Sequence, residues 1–238
     1  MRTIKILKGA RIGSSYGTME VCATTPTEDE LNILADTGHF SNRYTLISEL
    51  RFNEVKLKDI DKMLFTYLNW GHCLNVGLIE DSEILLSKKE YDMGTLTGVN
   101  DDFSSKSKEL RSSFNMIFIN EGFKISSNRF VLNIHVHVSL VIKNESKMII
   151  IAYDVVPNLR AYGRGIPYLI FYNMDLVKKS KEKTKNFKSD KIDPSQDLPF
   201  NFNGYVDQEI IDIILRSRNE TNTVLNIYMI KIQRKRGD

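Results

Sequence analysis

The stretch 130–156 constrains this chain more than any other. Phe130, Leu132, Ile134, Val136, Val138, Leu140 and Ile142 are apolar, while the other parity carries Val131, Asn133, His135, His137, Ser139, Val141 and Lys143. A period of two held this long is the pattern of a strand with one buried face. Asn144-Glu145-Ser146 supplies turn chemistry, and the segment KMIIIAYDVV over 147–156 reads as a returning strand. The expectation is an antiparallel hairpin of 130–143 against 147–156, with the even-numbered residues of the first strand buried.

Around this hairpin the remaining patterns are shorter. Thr25-Pro26-Thr27-Glu28 has the form of a helix start, with Thr25 as N-cap, Pro26 in the first turn and Glu28 closing a capping box, and Gly38 a stop. Segment 43–52 alternates Tyr44, Leu46, Ser48, Leu50 and Phe52, which predicts a strand. Segment 58–70 predicts a helix, because Leu57, Ile60, Met63, Leu64, Tyr67 and Leu68 recur at steps of three and four. Short strands are expected at 76–79 and 83–86. Two more, at 114–119 and 123–125, flank the turn Asn120-Glu121-Gly122. The polar stretch 91–109 reads as a long loop, 168–172 and 223–233 as strands, and 206–216 as a helix. Strands follow strands more often than they alternate with helices. The fold class expected is therefore α+β, an antiparallel sheet with a central long hairpin and about three helices packed on it. At 238 residues the chain suits one domain, 1–238, with a lysine-rich surface excursion around 176–200.

Charge is distributed unevenly. Net charge is +3, yet Lys178, Lys179, Lys181, Lys183, Lys185, Lys188 and Lys191 face only Glu182 and Asp190 within their segment. The N-terminal segment adds Arg2, Lys5, Lys8 and Arg11, and the C-terminal one Lys231, Arg234, Lys235 and Arg236. The rest of the chain is acidic. Such asymmetry points to an anionic surface as partner, either lipid headgroups or nucleic-acid phosphates. Phe187 inside the lysine run suits insertion at headgroups. Arg160 and Arg164, in the glycine-bearing loop RAYGRG, are further candidates for phosphate contact, although the loop matches neither the dinucleotide fingerprint nor the P-loop. Two cysteines, Cys22 and Cys73, make no disulfide framework and suit a reducing compartment. No run reaches the roughly 20 apolar residues of a membrane span, and no apolar block has signal-peptide form.

Catalytic motifs are sparse. His135 and His137 share one strand face with Asn133 and Ser139, at a spacing of about 7 Å that a metal or a phosphoryl group can bridge. His137-Val138-Ser139 is similar to one half of the paired His-x-Ser/Thr signature of two-histidine phosphoesterases. His39-Phe40-Ser41 also fits that pattern but lies in a loop, and His72 is followed by Cys73 instead. The alternative to these roles is a polar, partly solvated sheet face.

One family resemblance covers about 100 residues. The order YTLISELRF, KDIDKMLFTYLNW, Trp70-Gly71-His72 and Val76-Gly77, with the late alternating strand VLNIHVHVSLVIKNES, resembles the core of rhabdovirus matrix proteins. The chain departs from that family in lacking Pro-Pro-x-Tyr and Pro-Ser/Thr-Ala-Pro motifs, and about 80 residues follow the hairpin. The resemblance implies a non-enzymatic viral structural protein that self-associates and contacts an anionic membrane or a ribonucleoprotein. It would work in the host cytoplasm or nucleus and then in the virion, with no cofactor, metal or small-molecule substrate. The contact residues would be the basic ones named above. The competing expectation is a phosphoesterase or nuclease using His135, His137 and Ser139.

Overall fold

The computed structural model describes residues 2–7, 9–14, 17–79, 81–93, 114–134, 137–164, 174–201 and 204–205. In chain order the elements are β1 (Arg2–Thr3), β2 (Ala10–Ser14), β3 (Gly17–Val21), β4 (Thr25–Glu28), β5 (Ile33–Ala35), α1 (Arg43–Phe52), β6 (Lys62–Phe65), α2 (Trp70–Cys73), β7 (Glu83–Ser87), α3 (Lys88–Met93) and β8 (Met116–Ile119). The second half holds β9 (Arg129–Ile134), β10 (His137–Lys143), β11 (Met148–Tyr153), α4 (Leu159–Arg164), α5 (Met174–Asn186), β12 (Lys191–Pro194), β13 (Phe200–Asn201) and β14 (Gly204–Tyr205). They form two six-stranded sheets, β1-β4-β5-β6-β7-β8 and β14-β13-β12-β11-β10-β9, with β2 and β3 as a separate ribbon. Both sheets are mixed. In the first, β5 through β8 run parallel, and in the second β11 and β12 do. The mixed α+β class stands, but a purely antiparallel sheet does not.

The sheets pack face to face. Ile33, Ala35, Leu64 and Leu85 of the first meet Val131, Val138, Leu140, Ile142, Ile151 and Tyr153 of the second in one buried cluster. The outer face of the first sheet, Leu34, Met63, Phe65, Ile84 and Leu86, is covered by Leu46 and Leu50 of α1. The outer face of the second, Leu132, Val141, Ile150, Ala152 and Ile192, lies under Tyr162 of α4 and beside Phe187. The layers therefore run helix, sheet, sheet, helix, and the central strands are buried on both faces.

The stretch 130–143 is not one strand. It folds back on itself, pairing β9 with β10 antiparallel through Ile134↔His137, Asn133↔Val138 and Val131↔Leu140. The alternation runs unbroken in sequence from β9 into β10, yet its meaning inverts between them. Residues of the two strands that share a face have opposite parity, so Val131 joins Val138, Leu140 and Ile142 in the inter-sheet core, while Leu132 sits outside with Val141. The expected pairing of 130–143 with its successor is present as β10 against β11, from Leu140↔Ile151 to Lys143↔Met148.

Other expectations are corrected. Residues 25–28 form a strand between β1 and β5, not a helix start. The predicted strand 43–52 is helix α1, whose Leu46 and Leu50 lie one turn apart on its buried side. The predicted helix 58–70 contains β6, where Met63 and Phe65 face one core and Leu64 the other. A strand apolar on both faces imitates a helical stripe. Segment 76–79 is a 3₁₀ turn. The supposed 120–122 hairpin is a crossover: β8 pairs with β7, whereas Val131 N–H in β9 donates to the Phe123 carbonyl. The 176–200 excursion contributes α5 and then β12, whose Ile192 is fully buried. Expectations for 94–109, 168–172, 206–216 and 223–233 lie outside the described residues.

Candidate active site

Four strand ends meet at one edge of the sandwich. Asp36 follows β5, Thr66 and Tyr67 follow β6, Asp154 follows β11, and Ser195 follows β12. His72 sits on α2, whose N-cap Asn69 accepts the Gly71 N–H at 3.1 Å, and His137 opens β10. The second sheet is stitched to the first here by the Val138 N–H, which donates to the Thr66 carbonyl at 3.0 Å. Chemistry at the C-terminal ends of parallel strands is a general feature of such sheets, because loops there converge.

Asp36 is held by four donors. Its Oδ1 accepts from Thr66 N–H at 2.8 Å, and its Oδ2 from Thr66 Oγ1 at 2.6 Å, His72 Nδ1 at 2.7 Å and, more loosely, Cys22 Sγ at 3.6 Å. The other His72 nitrogen, Nε2, lies 3.1 Å from Asp154 Oδ2. His72 is only 4% exposed, so a carboxylate stands at each end of a buried imidazole. Burial alone would lower its pKa, but the Cys22 sulfur and the carboxylates of Asp154 and Asp36 hold it well above the usual histidine range. Burial would raise Asp154, yet His72 beside it wins and holds the carboxyl well below the ordinary range. Burial pushes the Cys22 thiol up.

His137 behaves oppositely. Burial lowers its pKa to about 4, against the pull of Asp154. Its ring lies edge-on to Tyr67, centroids 4.4 Å apart, and the same Tyr67 ring is 5.6 Å from His72. Burial, then the charge of Glu90, raises the Tyr67 phenol to about 12. Glu90 in turn accepts the Leu68 N–H at 3.1 Å and holds the segment after β6.

Three atoms of the cluster are buried with no protein hydrogen-bond partner: Asp154 Oδ1, His137 Nδ1 and Ser195 Oγ. Leaving such groups unpaired costs about 1–3 kcal/mol each, a cost that a water or a ligand at this place would offset. Backbone strain collects here too. Asp36 and Tyr153 have φ of 53° and 41°, a region hostile to a bulky residue such as Tyr153, whose hydroxyl is anchored to the Ala35 carbonyl at 3.0 Å. The Gly9 backbone presses on Ser195, since a Cβ on Gly9 would stand 1.4 Å from the Ser195 carbonyl oxygen.

The donor set fits a divalent cation. Cys22, Asp36 and His72, all buried, have ligand atoms within 4.8 Å of one another and form the group of metal-ligating side chains found among the described residues. Beside that group, Asp154 Oδ2 holds His72 Nε2, while Asp154 Oδ1, His137 Nδ1 and Ser195 Oγ have no hydrogen-bond partner. Two imidazoles and a carboxylate are a catalytic zinc donor set, with a carboxylate behind the first imidazole.

Of the residues singled out from sequence, only His137 belongs to this site. His135 lies outside the described residues. Ser139 lies within β10 and is 0% exposed, unsuited to attack a substrate. His39 caps a 3₁₀ turn by accepting the Ser41 N–H. The basic residues are scattered. Lys5 is buried in an ion pair with Asp193 at 2.8 Å and donates to the Pro194 and Asp197 carbonyls. Lys181 is buried and donates to the Ala161 carbonyl, Lys183 pairs with Glu121, and Lys185 lies over the Tyr162 ring. Arg2 bonds Glu28 and the Asn53 carbonyl, while Lys178, Lys179 and Lys188 are exposed. Lys8, Lys231, Arg234, Lys235 and Arg236 fall outside the described residues, as do the side chains of Arg160 and Arg164. Sequence reasoning missed Asp36, Tyr67, Asp154 and Ser195. The available signal was an Asp directly after an apolar strand, as in Ile33-Leu34-Ala35-Asp36 and Ile151-Ala152-Tyr153-Asp154.

No family model and no curated protein matches the sequence. Solved structures do match the fold. A protein from Thermotoga maritima assigned as a metallo-beta-lactamase aligns with a TM-score of 0.68 at 17% identity, covering 84% of this chain and 98% of its own. AiiA of B. thuringiensis, with N-decanoyl-L-homoserine at its active site, aligns at 0.61 and 15%, covering 78% and 86%. AidC, a dizinc quorum-quenching lactonase, aligns at 0.58 and 12%, covering 76% and 74%. The shared feature is the metallo-beta-lactamase fold. This overturns the matrix resemblance, and with it the non-enzymatic, self-assembling structural protein on a membrane or ribonucleoprotein and its virion location. The expectation of no small-molecule substrate goes too, since neighbours of this fold hold small molecules in their sites. No helix among the described residues is long and apolar enough to cross a membrane.

Proposed function

We propose that this chain is a hydrolase of small ester-like substrates, lactones among them, working at the strand-end cluster with a divalent cation held by His72, Asp154 and His137. The observation that carries this reading is the trio of buried, unpartnered atoms on Asp154, His137 and Ser195 beside a histidine fixed by Asp36. Support from outside the chain is the fold shared with lactonases. The reading keeps the hydrolase alternative of the sequence in a changed form: His137 acts, Ser139 does not.

The residues divide the work. Asp36 accepts the Nδ1 proton of His72 and so directs Nε2 toward Asp154. His137, neutral above about pH 4, offers a lone pair at the same place. Tyr67 remains a phenol at working pH and serves as a hydrogen-bond donor to a substrate oxygen. Asp154 Oδ1 accepts a hydrogen from the attacking water and orients it. A bound cation supplies polarisation of the substrate oxygen and a water of lowered pKa.

The test is hydrolysis of N-hexanoyl homoserine lactone, p-nitrophenyl acetate and bis-p-nitrophenyl phosphate, with added zinc, manganese or chelator. The expected result is turnover of at least one ester or lactone, lost with chelator and in Asp154→Asn. Chelator-resistant turnover, or none of any substrate, contradicts the reading.

A further inference from the structure

We infer that Tyr153 is a positioning residue of this site, the strut between the sheets that holds Asp36 and Asp154 at the two ends of His72. The inference rests on the reading of this edge as the working site, and its first readout needs no turnover.

Backbone geometry is the first support. Along a straight strand, successive side chains point to opposite faces. β11 obeys this through Tyr153, with Ile151 and Tyr153 in the inter-sheet core and Ala152 on the outer face. On that alternation Asp154 would point outward with Ala152. Instead its Oδ2 lies 3.1 Å from His72 Nε2. The break falls at Tyr153, where φ is 41° and the pairing with β12 shifts, Ile151 facing Asp193 but Tyr153 facing Pro194. Such a bulge re-aims the side chain that follows it.

Residue choice is the second support. Glycine adopts a positive φ freely, whereas a bulky aromatic does so only where the surroundings enforce it. Tyr153 is fully buried there. Its hydroxyl donates to the Ala35 carbonyl at 3.0 Å, and its ring stands near edge-on to His72, centroids 6.4 Å apart. The strained position is therefore filled by a side chain that reaches both the opposite sheet and the imidazole.

The third support is where that hydrogen bond lands. Ala35 ends β5 in the first sheet and directly precedes Asp36, while Tyr153 ends β11 in the second and directly precedes Asp154. One bond thus ties together the neighbours of the two carboxylates that grip His72. Asp36 is also held within its own sheet by the Thr66 N–H and hydroxyl. Loss of the strut should therefore loosen the Asp154 end of His72 first.

The experiment is nitrogen-15 NMR of the metal-free full chain, reading the ring N–H protons of His72. In the unaltered chain we expect two slowly exchanging downfield signals, from Nδ1 and Nε2, and Overhauser contacts between the Tyr153 and His72 rings. In Tyr153→Phe the Nε2 signal should be lost to exchange while the Nδ1 signal stays. Turnover of whichever ester or lactone is accepted should fall about tenfold in kcat, with KM within about twofold. Ser82→Ala removes another buried bond from a hydroxyl to a carbonyl, that of Ile60, ahead of β6 and β7, and should keep both signals. Both signals kept in Tyr153→Phe, both lost, or a chain that no longer folds overturns the inference, because a strut confined to the site leaves the sandwich standing. Missing ring contacts in the unaltered chain overturn it without any substitution. The expected NMR pattern with no turnover of any substrate removes the hydrolase reading instead and leaves the strut in place.

Discussion

The two sheets bring unlike halves to one site. The half carried by the first sheet is closed: Asp36, Thr66, Cys22 and His72 Nδ1 satisfy one another. The half carried by the second sheet is open, with buried atoms of His137, Asp154 and Ser195 unpaired. A saturated buried network rigidifies a fold, whereas an unsatisfied one costs stability unless a ligand completes it. On the proposed reading, the closed half serves stability and the open half serves binding. Substitutions in the closed half should register chiefly in folding, and those in the open half chiefly in binding.

The largest effect should come from Asp36→Ala. It breaks a buried pair and strands the Thr66 N–H, so urea unfolding should show a loss of about 3–5 kcal/mol. Asp36 loss without a stability change would dissolve the contrast. Next come His137→Ala and Asp154→Ala, which should weaken cation binding about 100-fold, roughly 2.7 kcal/mol, and Asp154→Ala should also cost metal-free stability because it leaves His72 Nε2 without its carboxylate. Gly9→Ala drives a methyl into the Ser195 backbone and should cost about 1–3 kcal/mol by overpacking.

The halves also differ in their protons. With a pKa near 4, His137 contributes stability that is full above about pH 6.5 and is lost as pH falls toward 4. His72, with its pKa raised, contributes stability that is full below pH 6.5 and is lost as pH climbs through the raised value. Imidazole proton resonances of the metal-free protein should therefore show His72 charged and His137 neutral at pH 6, and a reversed assignment would contradict the electrostatic account. The smallest effect belongs to Lys178→Glu with Lys179→Glu on exposed positions of α5. Stability should move by less than about 0.5 kcal/mol and cation affinity not at all.

Part of this was legible beforehand. The β10–β11 hairpin follows from alternation and the Asn144 turn, and β7 and the core of β8 from their apolar runs. The reversal between β9 and β10 was hidden because the period of two runs on through it in sequence. β6 was hidden because a strand buried on both sides has apolar residues at spacings a helix also produces. α1 reads as a strand in sequence because Leu46 and Leu50 fit steps of two and of four equally. At the site, His137 was visible as a histidine in a strand. Asp36, His72 and Asp154 were not, because they lie 36 and 82 residues apart and only the strand order joins them. The lysine run suggested a surface function. Tertiary contacts instead bury Lys181 and engage Lys183 and Lys185, so charge in sequence overstated charge on display.

The most direct test of the open half is anomalous diffraction from crystals grown with zinc and collected at its absorption edge. The account predicts one strong peak bonded at about 2.0–2.2 Å to His72 Nε2, an Asp154 oxygen and His137 Nδ1. A peak confined to surface residues, or one that leaves Asp154 and His137 unligated, would contradict it.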